Sequence, residues 1–106
     1  MQIDELQQQA KLAYDREVAR RNLKQQMQSR LTIQHQGGVF VVGPELINFL
    51  NAWLDEELII LDSYENPIKV LRQDLLLKSK QRYQEVMNEW QLVWEEQNQI
   101  RTAKNV

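Results

Sequence analysis

A chain of 106 residues, 42% hydrophobic and 26% charged, holds one domain with room for one modest core. A formal net charge of -2 excludes polyanion binding by bulk charge, and zero cysteines exclude a disulfide framework and a thiolate metal site while fitting a reducing compartment. No apolar run approaches the roughly 18 residues of a membrane span, and the opening "MQIDELQQQA" lacks the basic and apolar regions of a signal peptide, so a cytoplasmic protein without membrane insertion is expected.

Residues 4–29 read as one long helix, free of Gly and Pro and rich in Ala, Leu, Gln, Lys and Arg. Asp4 with Gln7 fits a capping box at its start. Its apolar positions, from Ile3, Leu6, Ala10 and Ala13 to Leu23 and Met27, form a narrow stripe, nearer a coiled-coil seam than a globular core face. The stretch "LTIQHQGGVFVVG" then alternates and turns β-branched. It reads as a hairpin with strands at 31–35 and 38–42 around a Gly37-Gly38 turn that tolerates positive φ.

Gly43-Pro44 starts a helix over 44–56, with Pro at the first position, where its missing N–H costs nothing. Leu46, Ile47, Phe49, Leu50, Trp53 and Leu54 cover most of its circumference, which predicts the best-buried helix of the chain. "LIILDSYENPIKVL" reads as a second hairpin turning about Glu65-Asn66-Pro67. Asp74 is the expected N-cap of a last helix over about 75–103.

The expected class is therefore α+β, in the order α-β-β-α-β-β-α. Two long antiparallel helices, a helical hairpin or coiled-coil stalk (1–30 and 73–106), flank a β-hairpin–helix–β-hairpin module (31–72) within a single domain. The first helical segment carries six basic and four acidic residues, the module two and six, the last segment five and five.

The last helix repeats at 3-4 spacing through Leu76, Ser79, Tyr83, Val86, Trp90, Val93, Gln97 and Ile100. Folding the long helices back on each other with Ile3 level with Ile100 sets Trp90 opposite Ala13. The same match brings Arg20 near Glu85, Arg16 near Glu89 and Lys11 near Glu95. Large side chains then meet small ones, and flanking charges pair. The last helix still has more apolar surface than a narrow partner covers, with Met87 and Trp94 beside the seam. A wide apolar strip marks an interface, so Tyr83, Met87, Trp90, Trp94 and Ile100 are the expected protein-binding residues, buried by another subunit or another protein. The bland alternative is that the hairpins fold back over the strip.

Catalytic chemistry finds no constellation. "GVFVVGPE" imitates a phosphate loop, but Pro44 and Glu45 stand where lysine and a hydroxyl residue are needed. His35 has only Gln34 and Gln36 beside it and reads as a surface residue next to a turn. Asp55, Glu56 and Glu57 crowd a helix C-terminus, where the macrodipole disfavours acid; a solvated end explains them. Asp62 stands beside a turn, where Asp commonly bonds the backbone. No enzyme activity, cofactor or metal is expected. Arg16, Arg20 and Lys24, with Arg21 beside them, line one helical face and could follow a nucleic-acid backbone, but no aromatic or Gly-rich element accompanies them.

The layout of residues 31–101, carried by "GGVFVVGPELINFL", "IILDSYENPIKV" and the Tyr- and Trp-bearing helix ending "QIR", resembles small accessory or assembly proteins of large contractile-tailed bacteriophages. The resemblance implies a non-enzymatic part in virion structure or assembly, in the virion or the host cytoplasm. The expected function is thus structural, through protein–protein contacts of the helical stalk, as a homo-oligomer or within a larger assembly. The alternative is a nucleic-acid accessory factor using the basic stripe.

Overall fold

A computed structural model describes the backbone of residues 2–104 and the side chains of residues 3–99. In chain order the elements are α1 (Gln2–Arg30), β1 (Thr32–His35), β2 (Gly38–Val41), α2 (Pro44–Ala52), β3 (Glu57–Leu61), β4 (Pro67–Leu71) and α3 (Arg72–Lys104). The class is α+β: among the described residues there are three helices and two small antiparallel hairpins, β1–β2 and β3–β4. None of these helices is long and apolar enough to cross a membrane.

The first hairpin pairs Thr32 with Val41, Ile33 with Phe40 and His35 with Gly38. Its two turn residues are therefore Gln36 and Gly37, at φ 50° and 87°, both positive as a type I′ turn requires. The expected Gly37-Gly38 turn is thus off by one residue. Gly38 instead opens β2, and an added Cβ there would lie 2.9 Å from Ile68 Cγ1 of β4 and 2.9 Å from the Phe40 ring. Its missing side chain lets the two hairpins approach each other. Period-two alternation then buries Ile33, Phe40 and Val42 and leaves Val41 out.

Pro44 begins α2 as its position implies, after an extended Gly43 whose carbonyl accepts from Ile47 N at 3.1 Å. The helix ends at Ala52 rather than at residue 56, and it is not the best-buried helix. Only Leu50 is buried on it, while Phe49 and Trp53 stay exposed and meet in a tilted ring contact with centroids 5.9 Å apart. The reason is the partner: α2 lies on the surface of the core, so one stripe faces in. In the acidic run after it, Glu57 pairs with Lys69 at 3.0 Å. Arg72 Nε donates to Asp55 O at 2.9 Å, just past the helix, and a terminal Arg72 nitrogen donates to Leu50 O at 3.1 Å, satisfying a carbonyl at the negative end of the helix.

The second hairpin turns through residues 63–65, with Glu65 in the left-handed region at φ 63°. The turn expected about Glu65-Asn66-Pro67 falls earlier because Pro67 is the first strand residue, where it lacks no needed donor. Helix α3 begins at Arg72 directly from β4, so Asp74 sits in its first turn rather than capping it. Likewise α1 begins at Gln2, placing Asp4 inside the first turn, where a carboxylate suits the helix dipole, and not at the cap.

The core gathers Leu23, Met27 and Leu31 from the end of α1 and Ile33, Phe40 and Val42 from the first hairpin. Leu50 comes from α2, Val70 from β4, and Leu75, Leu76 and Val86 from α3. The 3-4 seam of α3 faces inward as its spacing implies: Ser79 is buried and Tyr83, Met87, Trp90 and Val93 pack against this cluster.

The register of the long helices differs from the Ile3–Ile100 match. Glu89 forms its ion pair with Arg30, fourteen positions beyond the expected Arg16, and Arg82 donates to Arg30 O at 2.9 Å. Glu85 lies 3.9 Å from Arg82, not beside Arg20. Ala10 and Ala13 are exposed, so no alanine gap on α1 receives Trp90. Leu23 and Met27 on the last turns of α1, with Leu31 after them, bury in the core, because that end of the helix leads directly into the first hairpin.

Candidate protein–protein interface

Asp62 is the polar anchor that fixes the module presenting the surface. Its Oδ1 accepts from Tyr64 N at 3.0 Å and Asn66 N at 2.9 Å, closing the second hairpin's turn. Its Oδ2 accepts from Val39 N at 3.1 Å, and Ser63 N donates to Val39 O at 2.8 Å. One buried carboxylate thus joins the turn of the second hairpin to the edge of the first. The Asn66 amide, then that of Val39, holds its carboxyl below the ordinary 3.8, against the opposing effect of burial.

A depressed folded pKa gives stability that is present above about 3.8 and lost as pH falls below it. Asp62→Asn should therefore lower the urea midpoint at neutral pH. The gap to the parent should narrow as pH falls from 4 towards 2. A constant gap across that range would remove the charge of Asp62 from the account.

His35 is half-buried, not a surface residue, and its Nε2 is buried with no hydrogen-bond partner among the described residues. Burial, helped by the Lys78 ammonium and opposed by Asp74, lowers its pKa, which keeps the imidazole neutral near pH 7. No group of three or more His, Asp or Glu side chains able to hold a metal occurs among the described residues.

The surface divides sharply along the long helices. Of the expected interface residues, Tyr83, Met87 and Trp90 are half-buried against the protein's own core, while Trp94 is 57% exposed, with Leu92 beside it exposed too. The side chain of Ile100 lies outside the described residues. On α1 every side chain from residue 3 to residue 17 is exposed, including Ile3, Leu6, Leu12 and Tyr14. Ile3 and Leu6 belong by spacing to the narrow stripe expected to face the last helix; their exposure shows only when the register is known.

The basic stripe is on the same part of α1. Arg16, Arg20, Arg21 and Lys24 are all exposed, and only Arg21 makes an ion pair among the described residues, with Glu17 at 3.6 Å. Arg16 and Arg20 line a shallow concavity with Ala13 and Glu17. On α3, Glu95 accepts from Gln91 at 3.3 Å, and neither Glu95 nor Glu96 has a basic partner among the described residues. No family model, curated protein or solved structure matches this chain.

Proposed function

We propose that the protein is a non-enzymatic structural or assembly component that works through protein–protein contacts of its two long helices. The observation that carries this reading is the long, wholly exposed stretch of α1 from residue 3 to residue 17, facing solvent with Ile3, Leu6, Leu12 and Tyr14. That stretch packs no apolar face on its own chain, and most helical stability in proteins comes from such packing, so a partner surface would stabilise it. Trp94 and Leu92 supply further apolar area on α3, and scattered polar neighbours fit an interface rim. In this reading the helices act as a stalk and the hairpin module as its rigid base. The resemblance to phage accessory proteins is in keeping with a part in virion structure or assembly.

A photo-crosslinking side chain at position 94 of the full chain, activated in producing cells, tests the reading. Protein adducts through that position are expected, and their absence at a yield that labels a known control would overturn it. Trp94→Glu should abolish association; at concentrations low enough to keep chains apart, it should leave the unfolding free energy within about 0.5 kcal/mol of the parent, as for an exposed position.

The unpaired Arg16, Arg20 and Lys24 favour a second reading, binding along a nucleic-acid backbone. Counterion release would then make affinity fall steeply between about 50 and 200 mM salt. No detectable binding to DNA or RNA at the lower salt would dispose of it.

A further inference from the structure

We infer that the partner of the long helices is a second copy of this chain, with the basic stretch of α1 packed antiparallel on the acidic stretch of the other copy's α3. This rests on the assembly reading above and names its partner. The first support is charge. Residues 11–24 carry five basic and two acidic side chains, and residues 85–96 carry four acidic and no basic ones. Within one chain the two stretches do not satisfy each other: among the described residues, the ion pair between α1 and α3 uses Arg30, outside the basic stretch. Lys11, Arg16 and Arg20 on one helix and Glu95 and Glu96 on the other are left without an ion pair among the described residues. Opposite charges along facing helices set both partner and orientation. With residue 11 level with residue 85, a parallel pairing sets Asp15 level with Glu89, acid against acid; with residue 11 level with residue 96, the antiparallel pairing sets Asp15 level with Leu92 and Lys11 level with Glu96, so the signs favour the antiparallel sense.

The second support is area. The chain exposes 8389 Å², whereas a compact monomer of its 12.7 kDa mass exposes about 6,200 Å². Its radius of gyration of 19.9 Å compares with about 13 Å for a compact domain of this length. The surplus, on the order of 2,000 Å² per chain, matches what each partner gives to an obligate dimer. Each of the facing stretches also brings apolar groups, Leu12 and Tyr14 on α1 and Leu92 and Trp94 on α3. A two-fold axis makes the contact twice, α1 on the other copy's α3 and the reverse, and closes the assembly at two copies.

The symmetry makes the test specific. One variant reverses α1 (Lys11→Glu, Arg16→Glu, Arg20→Glu) and another reverses α3 (Glu95→Lys, Glu96→Lys). In either homodimer both contacts set like charges together. In a mixed dimer both contacts are complementary again. Sedimentation equilibrium of the full chain at low salt should give about twice 12.7 kDa for the parent. Each variant alone should dissociate with a Kd raised about tenfold or more, and the equimolar mixture should return to the parent's affinity.

A parent monomeric up to submillimolar concentration, or a dimer indifferent to both reversals, overturns the proposal. In either case the crosslinker at position 94 still decides the assembly reading, because adducts to a different protein keep it and no protein adduct removes it.

Discussion

Leu50→Ala should destabilise the protein by about 2–5 kcal/mol, the range for truncating a buried leucine and leaving a cavity. Leu50 is 0% exposed and is the buried residue of α2. Phe49 and Trp53 flank it in the sequence but are 43% and 46% exposed, packed against each other at the surface, so neither fills the space without giving up that contact. Arg72 holds the Leu50 carbonyl, which limits how far the helix can settle into the gap. Urea unfolding followed by circular dichroism measures the effect. Phe49→Ala is the comparison, expected to cost less because its burial is partial. Equal losses for the two would mean that α2 packs on a different stripe.

Met27→Ala should cost a similar amount, about 2–5 kcal/mol, because Met27 is 3% exposed and belongs to the core from the last turns of α1. At concentrations low enough to keep chains apart, Leu6→Ala on the same helix should change the unfolding free energy by no more than about 0.5 kcal/mol, as an exposed site does. This contrast reports the register directly. A seam running the whole length of α1, with Ile3 level with Ile100, would make both substitutions costly. The contact at Arg30 and Glu89 makes only the first one so.

Much of the fold is legible in the sequence because its causes are local. Pro44 after an extended Gly43 starts α2; alternation around Gln36-Gly37 makes a hairpin; the 3-4 spacing of Leu76, Ser79, Tyr83, Val86, Trp90 and Val93 finds the inward face of α3. Boundaries moved where two signals competed. Gly37-Gly38 looks like the turn by composition, but pairing register gives the turn to Gln36-Gly37 and uses Gly38 for close approach to Ile68. The apolar circumference of α2 looks like deep burial, but the helix lies on the surface of the core and only the stripe carrying Leu50 faces in, and single exposed apolar side chains are normal on a folded surface.

The candidate surface was less legible than the fold. Trp94 is recognisable from its place beside the seam, and its exposure agrees with that. Tyr83, Met87 and Trp90 look alike in spacing, yet they pack on the chain's own core. Asp62 reads as a turn residue, and nothing local shows that its second oxygen reaches Val39, twenty-three positions earlier. His35 reads as exposed because its neighbours in sequence are polar, while the fold half-buries it and sets it near Lys78 and Asp74 of α3.

The sequence by itself determined the order and kind of the elements, the α+β class and the inward face of α3, since propensity, periodicity and turn chemistry act over a few residues. Only the tertiary structure decided which stretch of α1 meets α3. A stripe of alanines and glutamines matches a heptad seam almost equally well at several steps, so local pattern cannot rank the registers. Burial of Leu23, Met27 and Leu31 in the common core, with Arg30 on Glu89, ranks them, and leaves the rest of α1 to face outward.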